Sequence, residues 1–292
     1  MLLWQRKSAI LMIPVLFIAI NCQTNSAKTS DKSKKDRTPP TVYRNLESAL
    51  KEPQKVKVLK LNFLNLTQVP TEINNFKNLE VLDLSYNKIT SLPPFIFQLK
   101  NIFQLDLSTN ELNEIPQEIG LLHELIELDI SNNKINKIPD TLSALDRLET
   151  FRAVNNQIKA LPPHFTELTN LKNLALWHNM ISSLPDDFGS LKKLKQLGLD
   201  KNALNSLPES FGDLKKLTHL SLSKNFLADL PSSFSKLGNL KVLYLSHNNF
   251  NSLPASLNDL LALEELRLDN NRIQKNLILD LKNNLKETKV IY

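Results

Sequence analysis

The side chains that could carry out catalysis are few and widely spaced. Histidine occurs five times and cysteine once, at Cys22, and the sequence has no phosphate-binding loop, zinc-protease motif or nucleophile elbow. A catalytic trio would need a nucleophile, a base and an orienting acid held together in a dry pocket. The sequence therefore predicts a binding protein that uses no cofactor or resident metal, and not an enzyme.

The N-terminal stretch differs from the rest of the chain. Residues 1–21 carry Arg6 and Lys7, followed by the apolar run Ser8–Ile20, which is 13 residues long. A membrane-spanning helix needs about 20 apolar residues, whereas a positive segment before a shorter apolar run is typical of a secretory signal peptide. Residues 1–21 are predicted to be such a peptide, and a truncated membrane anchor is the alternative.

Cys22 directly follows this run, in the stretch Ala19-Ile20-Asn21-Cys22. Its position resembles the bacterial lipoprotein signal, in which the cysteine is acylated and becomes the new N-terminus. That family usually has leucine three residues before the cysteine and a small residue just before it, where this chain has Ala19 and Asn21. The resemblance implies a lipid anchor at Cys22, and ordinary cleavage leaving a free thiol is the alternative. Residues 22–40 are polar, and we expect a flexible tether that reaches about 23 Å.

The remainder of the chain repeats with a period of 23 residues. The clearest copy is Leu79–Asn101, LEVLDLSYNKITSLPPFIFQLKN. An aliphatic residue opens every unit from Val56 to Leu263, asparagine recurs at the ninth position, and an apolar-proline pair recurs nine times. The alternation at positions 3 to 6 predicts a short strand with two leucines pointing inward. The asparagine can satisfy backbone groups of the turn that follows the strand.

The pattern LxxLxLxxNxLxxLPxxIxxLxxL resembles the leucine-rich repeat in its 23-residue form. The resemblance covers residues 56–285, which we read as ten repeats. It implies an α/β solenoid, shaped like a horseshoe, with a parallel β-sheet on the concave face and short helical or irregular segments on the convex face. Such an array needs both ends covered, because neighbouring units share one core.

Sequence features at both ends of the array predict these covers. Residues 41–55 are predicted to form a helical N-terminal cap, with Thr41 as the N-cap of a helix over Thr41–Glu52 and Pro53 as its stop. At the other end the spacing of three apolar residues predicts a short closing helix: Ile278, Leu281 and Leu285. Residues 286–292 form the C-terminal cap or tail, with a last strand at Lys289–Tyr292.

The positive charge of the chain lies mostly outside the repeats. The formal net charge is +6, from 36 basic and 30 acidic residues, but residues 1–40 hold seven of the basic and two of the acidic residues. The repeats are therefore close to neutral. Phosphate binding needs a concentrated basic face, so the sequence predicts no nucleic-acid partner.

Two patches on the predicted concave face are candidate binding sites. We call Asp83, Asp106 and Asp129, at the fifth position of successive units, the acidic ladder. It could attract a basic partner or hold calcium, and a merely solvated polar face is the alternative. Arginine and tryptophan are enriched among binding hot spots. The residues that we call the central patch are Arg152, Val154, Trp177, His178 and Met180, and Tyr244 could extend it.

Phe95, Phe97 and Phe103 are a weaker candidate for an exposed apolar spot. We expect them instead to pack beneath the turns.

Together these features predict protein–protein recognition through the concave sheet, from a lipid tether on the bacterial outer membrane or cell surface. The repeats have some similarity to those of internalins, which implies a partner on a host cell. The alternative is a structural or scaffolding lipoprotein that faces the periplasm.

Overall fold

The computed structural model describes residues 40–292. The predicted signal peptide, Cys22 and all but the last residue of the tether lie outside the described residues. Within the described part no helix is long and apolar enough to cross a membrane.

Twelve parallel strands, in chain order, make one open sheet in residues 40–292. The strands are Val42–Tyr43 (β1), Val58–Lys60 (β2), Val81–Asp83 (β3), Gln104–Asp106 (β4), Glu127–Asp129 (β5), Thr150–Arg152 (β6), Asn173–Ala175 (β7), Gln196–Gly198 (β8), His219–Ser221 (β9), Val242–Tyr244 (β10), Glu265–Arg267 (β11) and Lys289–Ile291 (β12). The predicted solenoid is confirmed.

Short 3₁₀ helices line the side opposite the sheet. They span Pro53–Lys55, Thr71–Asn75, Pro94–Gln98, Gln117–Leu121, Asp140–Ala144, Pro163–Glu167, Phe188–Ser190, Glu209–Asp213, Ser232–Lys236 and Ala255–Asp259. The repeated proline stands before most of them in an extended conformation, as at Pro116, where φ is −61° and ψ is 151°. Its fixed φ suits this leg of the coil, and its carbonyl accepts the first helical hydrogen bond, from the N–H of Ile119 at 3.1 Å.

The core is one continuous column of buried side chains shared by neighbouring units. Phe188, Phe211 and Phe234 stack in sequence beneath the convex helices, with ring centroids 5.9 Å apart in both pairs. Phe97 is fully buried and Phe95 packs against the core, while Phe103 is half-buried. The expectation that this phenylalanine trio packs beneath the turns is met by Phe95 and Phe97.

The repeated asparagine forms the same hydrogen bonds in unit after unit. Asn110 donates from Nδ2 to the carbonyls of Leu84 and Leu107, at 3.0 and 3.1 Å. Its Oδ1 accepts from the N–H of Ile89 in the preceding unit at 3.0 Å. Without Asn110 the buried N–H of Ile89 would lack a partner, whereas each carbonyl also accepts from the asparagine of an adjacent unit. Each asparagine therefore joins one coil to the next. The structural role predicted for this residue is confirmed.

The N-terminal end differs from the prediction. The helix is a single turn, Leu46–Leu50 (α1), and its N-cap is Asn45, whose side chain accepts from the N–H of Ser48 at 2.8 Å. Thr41 is not the N-cap, because Val42 and Tyr43 pair in register with Val58 and Leu59 instead. The open edge of β2 offers backbone partners, and β-branched and aromatic residues suit a strand.

The C-terminal end agrees with the prediction. Helix α2, Lys275–Asn284, closes the array, and β12 adds the last strand. The three apolar residues that predicted the helix are all buried: Ile278, Leu281 and Leu285.

Candidate functional site

The fifth position of the unit ends each strand from β2 to β11 and presents its side chain on the concave face. These positions are register partners along the sheet, about 4.8 Å apart. From β2 to β11 the column reads Lys60, Asp83, Asp106, Asp129, Arg152, Ala175, Gly198, Ser221, Tyr244 and Arg267. Its chemistry changes along the sheet, unlike that of the leucine and asparagine columns.

The three aspartates of the acidic ladder lie in register on β3, β4 and β5, as predicted. Each uses Oδ1 to accept a hydrogen bond from the backbone N–H of the serine two residues later, at 3.0, 2.9 and 2.9 Å. These contacts hold the three carboxylates in the same orientation relative to their own backbone. Among residues 40–292 no three metal-ligating side chains are grouped closely enough to hold a metal ion.

Asp106 lies in the middle of the ladder. Its pKa is raised to about 6, mainly by burial and also by the charges of Asp129 and Asp83, while hydrogen bonds from Ser108 act to lower it. Ionised Asp106 is therefore costly to the folded state at neutral pH.

Arg152 of the central patch ends β6, and Val154 and Trp177 lie two residues beyond the ends of β6 and β7. Val154 is buried and its backbone N–H donates to Ser131 Oγ at 3.1 Å, while Trp177, in the equivalent slot of the next unit, is half-buried. Arg152 is half-buried as well, and its guanidinium takes part in none of the ion pairs or side-chain hydrogen bonds within residues 40–292. A half-buried indole and a guanidinium without an ion-pair partner thus belong to adjacent units at the middle of the array.

His178 and Met180 lie beside Trp177, after its strand has ended, and both are exposed. His178 has φ of 61°, and its N–H donates to the carbonyl of Asp200 at 2.7 Å, which fixes the turn. Partial burial and the charge of Lys201 lower the pKa of the His178 imidazole. The side chain of Met180 is 51% exposed, so it adds apolar surface at the edge of the central patch.

Tyr244 is four strands away from Arg152 and belongs to another group. Its ring lies under Arg267, with the guanidinium carbon 4.5 Å from the ring centroid, and Arg267 Nε donates to Glu265 at 2.7 Å. Between Tyr244 and the central patch the floor of the sheet is made of the small residues Ala175, Gly198 and Ser221. The geometry therefore separates Tyr244 from the patch that it was predicted to extend.

Two exposed aromatic residues at the N-terminal end are absent from the candidates that the sequence suggested. The rings of Phe63 and Tyr86 stack with centroids 4.2 Å apart, and the residues are 64% and 50% exposed. Both occupy the eighth position, where every unit has positive φ. Most other units have a polar residue there, often asparagine, which tolerates this conformation better. Reading the eighth position along the array would have revealed the pair.

Comparisons with known proteins agree with this architecture. A family model described as leucine-rich repeat region matches residues 182–291, and one described as leucine rich repeat matches residues 54–112 and 100–158. The comparison with curated protein sequences gives no match. The chain is a leucine-rich-repeat protein.

Solved structures with the same fold include plant receptors and a bacterial protein. A TDR receptor aligns over 80% of this chain with TM-score 0.72 and 27% identity, and the plant peptide hormone receptor RGFR1 in complex with RGF2 aligns over 77% with TM-score 0.63 and 30% identity. The alignments span 42% and 41% of those two receptor chains. An internalin from Listeria monocytogenes aligns over 82% of this chain and 81% of its own, with TM-score 0.54, and at 20% identity it shows the fold alone.

Proposed function

We propose that the chain is a non-enzymatic recognition module whose concave sheet binds a segment of a protein partner. The observation that carries the proposal is that Trp177 and Arg152, both half-buried, belong to adjacent units at the centre of the sheet, and that the Arg152 guanidinium has no ion-pair partner within residues 40–292. Tryptophan and arginine contribute most to binding when a partner removes them from water. An open curved sheet presents such a pair to a macromolecule but does not enclose a small substrate.

The solved relatives support a protein or peptide as the partner. RGFR1 is seen in complex with RGF2, and the receptor kinase ectodomain of GASSHO1/SCHENGEN3 from Arabidopsis thaliana is seen in complex with Casparian strip integrity factor 2. This chain spans 41% and 35% of the lengths of those two chains, so the likeness covers the repeat array and not a whole receptor.

The test is a pair of double variants. Pull-down with the purified chain and mass spectrometry would identify the partner, and its affinity would then be measured. Trp177→Ala with Arg152→Ala should weaken binding more than tenfold while leaving thermal unfolding nearly unchanged. The matched control is Leu261→Ala with Arg147→Ala, which removes an exposed apolar residue and an arginine outside the patch. Equal affinities of the two double variants would exclude the central patch.

We further propose that the module is exported and held by a lipid at Cys22 on the outer membrane, facing outward. The support is the sequence alone: the short apolar run, the cysteine directly after it and the polar tether. Cys22→Ser should move the protein from the membrane fraction to the soluble fraction. Protease added to intact cells should degrade the protein, and protection until the outer membrane is opened would favour a periplasmic scaffold instead.

A further inference from the structure

Charged side chains in the segments just before and just after the strands form ion pairs between neighbouring units. Five such pairs link residues 23 positions apart: Lys57–Glu80, Lys134–Glu111, Arg147–Glu124, Lys172–Glu149 and Lys241–Glu264. Equivalent positions of adjacent units are close enough for such contacts. The register of the fold therefore makes pairing between units easy wherever the residue types allow it.

Charges on the concave face between β3 and β6 are left unpaired. Within residues 40–292, neither Arg152 nor any of the three acidic-ladder residues belongs to an ion pair. This holds although Asp129 and Arg152 are register partners on adjacent strands. The three aspartates repel one another, and the raised pKa of Asp106 reflects that cost together with burial.

The sign of the surface charge changes between β5 and β6. Beyond Arg152 the fifth-position column carries no charge on β7, β8 or β9, and Lys201 and Lys224 stand at the turns after β8 and β9. Asp200 is the acid within this stretch, and its carboxylate accepts from the hydroxyl of Ser221 and from the N–H of Ser223 at 3.1 Å. Burial raises the pKa of Asp200.

We infer that the acidic ladder and Arg152 form one binding site, which takes an extended protein segment in which a block of basic residues directly adjoins a block of acidic residues. This inference rests on the proposed function and specifies its partner. Three successive strands span about 10 Å, which is the length of about three extended residues. A block of three basic residues therefore covers β3 to β5, and the acidic residues that follow lie over Arg152 and toward Lys201 and Lys224.

Two peptides of identical composition test the charge order with the full-length chain. One is fluorescein-labelled with three lysines followed by three glutamates, and the other has the same six residues in alternation. Anisotropy at low ionic strength should show the block peptide binding at least fivefold more tightly. The difference should disappear near 0.5 M salt, since exposed charges are screened there.

Matched variants locate the effect. Asp106→Asn with Arg152→Gln should abolish the preference for the block peptide. The control is Glu111→Gln with Arg147→Gln, which removes an acid from the unit of Asp106 and an arginine from the next unit, both of them in ion pairs outside the strands. This control should keep the preference for the block peptide. Equal binding of the two peptides by the wild-type chain would overturn the inference, and so would equal loss in the two double variants.

The outcomes also separate this inference from the proposed function. If partner binding depends on Trp177 and Arg152 but the two peptides bind equally well, the inference about charge order is wrong and the proposed function stands. Should the block peptide be preferred while no partner depends on Trp177, the function fails and the charge site stands.

Discussion

The ninth and fifth positions of the repeat unit behave in opposite ways. Asparagine occupies the ninth position in nine of the ten units, with the same backbone partners in neighbouring coils. The fifth position changes from aspartate to arginine to glycine to tyrosine on strands of identical geometry. The backbone dictates the first residue and leaves the second free, so differences between units along the concave face are where a partner can be recognised.

The largest effect is expected where an asparagine is removed from its column. Asn110→Ala leaves the buried N–H of Ile89 without a partner, and the carbonyls of Leu84 and Leu107 each lose one of the two asparagine hydrogen bonds that they accept. One unsatisfied buried group costs about 1 to 3 kcal/mol and each of the two lost hydrogen bonds about 0.5 to 1.5 kcal/mol, so the free energy of unfolding should fall by roughly 2 to 6 kcal/mol, measured by denaturant titration. Asn113→Ala, at an exposed position of the same unit, should change it by less than about 0.5 kcal/mol. Similar losses for both variants would show that the column is not what joins the coils.

A smaller effect, of opposite sign, is expected at the fifth position. The pKa of Asp106 is raised to about 6 in the folded state, so the folded protein holds this proton more tightly than the unfolded chain does. Stability is therefore lost as pH rises from about 4 through 6. Asp106→Asn keeps an acceptor for Ser108 and removes the charge, so it should gain roughly 1 to 2 kcal/mol at pH 7 and nothing at pH 4.

Glu111→Gln serves as the control for that pH dependence. Lys134 lowers the pKa of Glu111 through a hydrogen bond and an ion pair, so the charged form of this edge residue is favoured in the folded state. Its substitution should slightly destabilise the protein at pH 7 and have no effect at low pH. Chemical unfolding of both variants at pH 4 and 7 measures whether each substitution raises or lowers the free energy of unfolding. An increase for both variants at pH 7 would contradict the opposite effects expected here.

The smallest change is expected at the eighth position. Tyr86→Asn gives up stacking on Phe63, worth about 0.5 to 1.5 kcal/mol, but places a better-suited residue at a φ of 55°. The free energy of unfolding should therefore change by less than about 1 kcal/mol. A loss above about 2 kcal/mol would mean that the aromatic pair is a structural cover for the N-terminal end.

The architecture could be predicted from the sequence because strict spacing carries it. Seven apolar positions and one asparagine per 23 residues leave one way to stack the units, and the sheet and the buried core follow. The prediction for the N-terminal cap was wrong in its first residues. The apolar residues Val42, Leu46, Ala49 and Leu50 have helical spacing, but Val42 pairs with the open edge of β2, which exists only once the array has assembled. Edge pairing decided the outcome at Val42.

The candidate site was predicted less completely. The order of Asp83, Asp106, Asp129 and Arg152 on the sheet follows from register alone. The attachment of Tyr244 to Arg267 depends on rotamers, which the repeat pattern does not specify. The stacking of Phe63 on Tyr86 and the raised pKa of Asp106 likewise arise from side-chain packing between units.

One measurement tests most directly whether the concave face is where partners bind. It is the affinity of the partner identified by pull-down for the Trp177→Ala, Arg152→Ala double variant. The free energy of unfolding is measured on the same sample. We predict that affinity falls more than tenfold at unchanged stability. Wild-type affinity in this variant, or a loss of affinity that merely tracks unfolding, would contradict it.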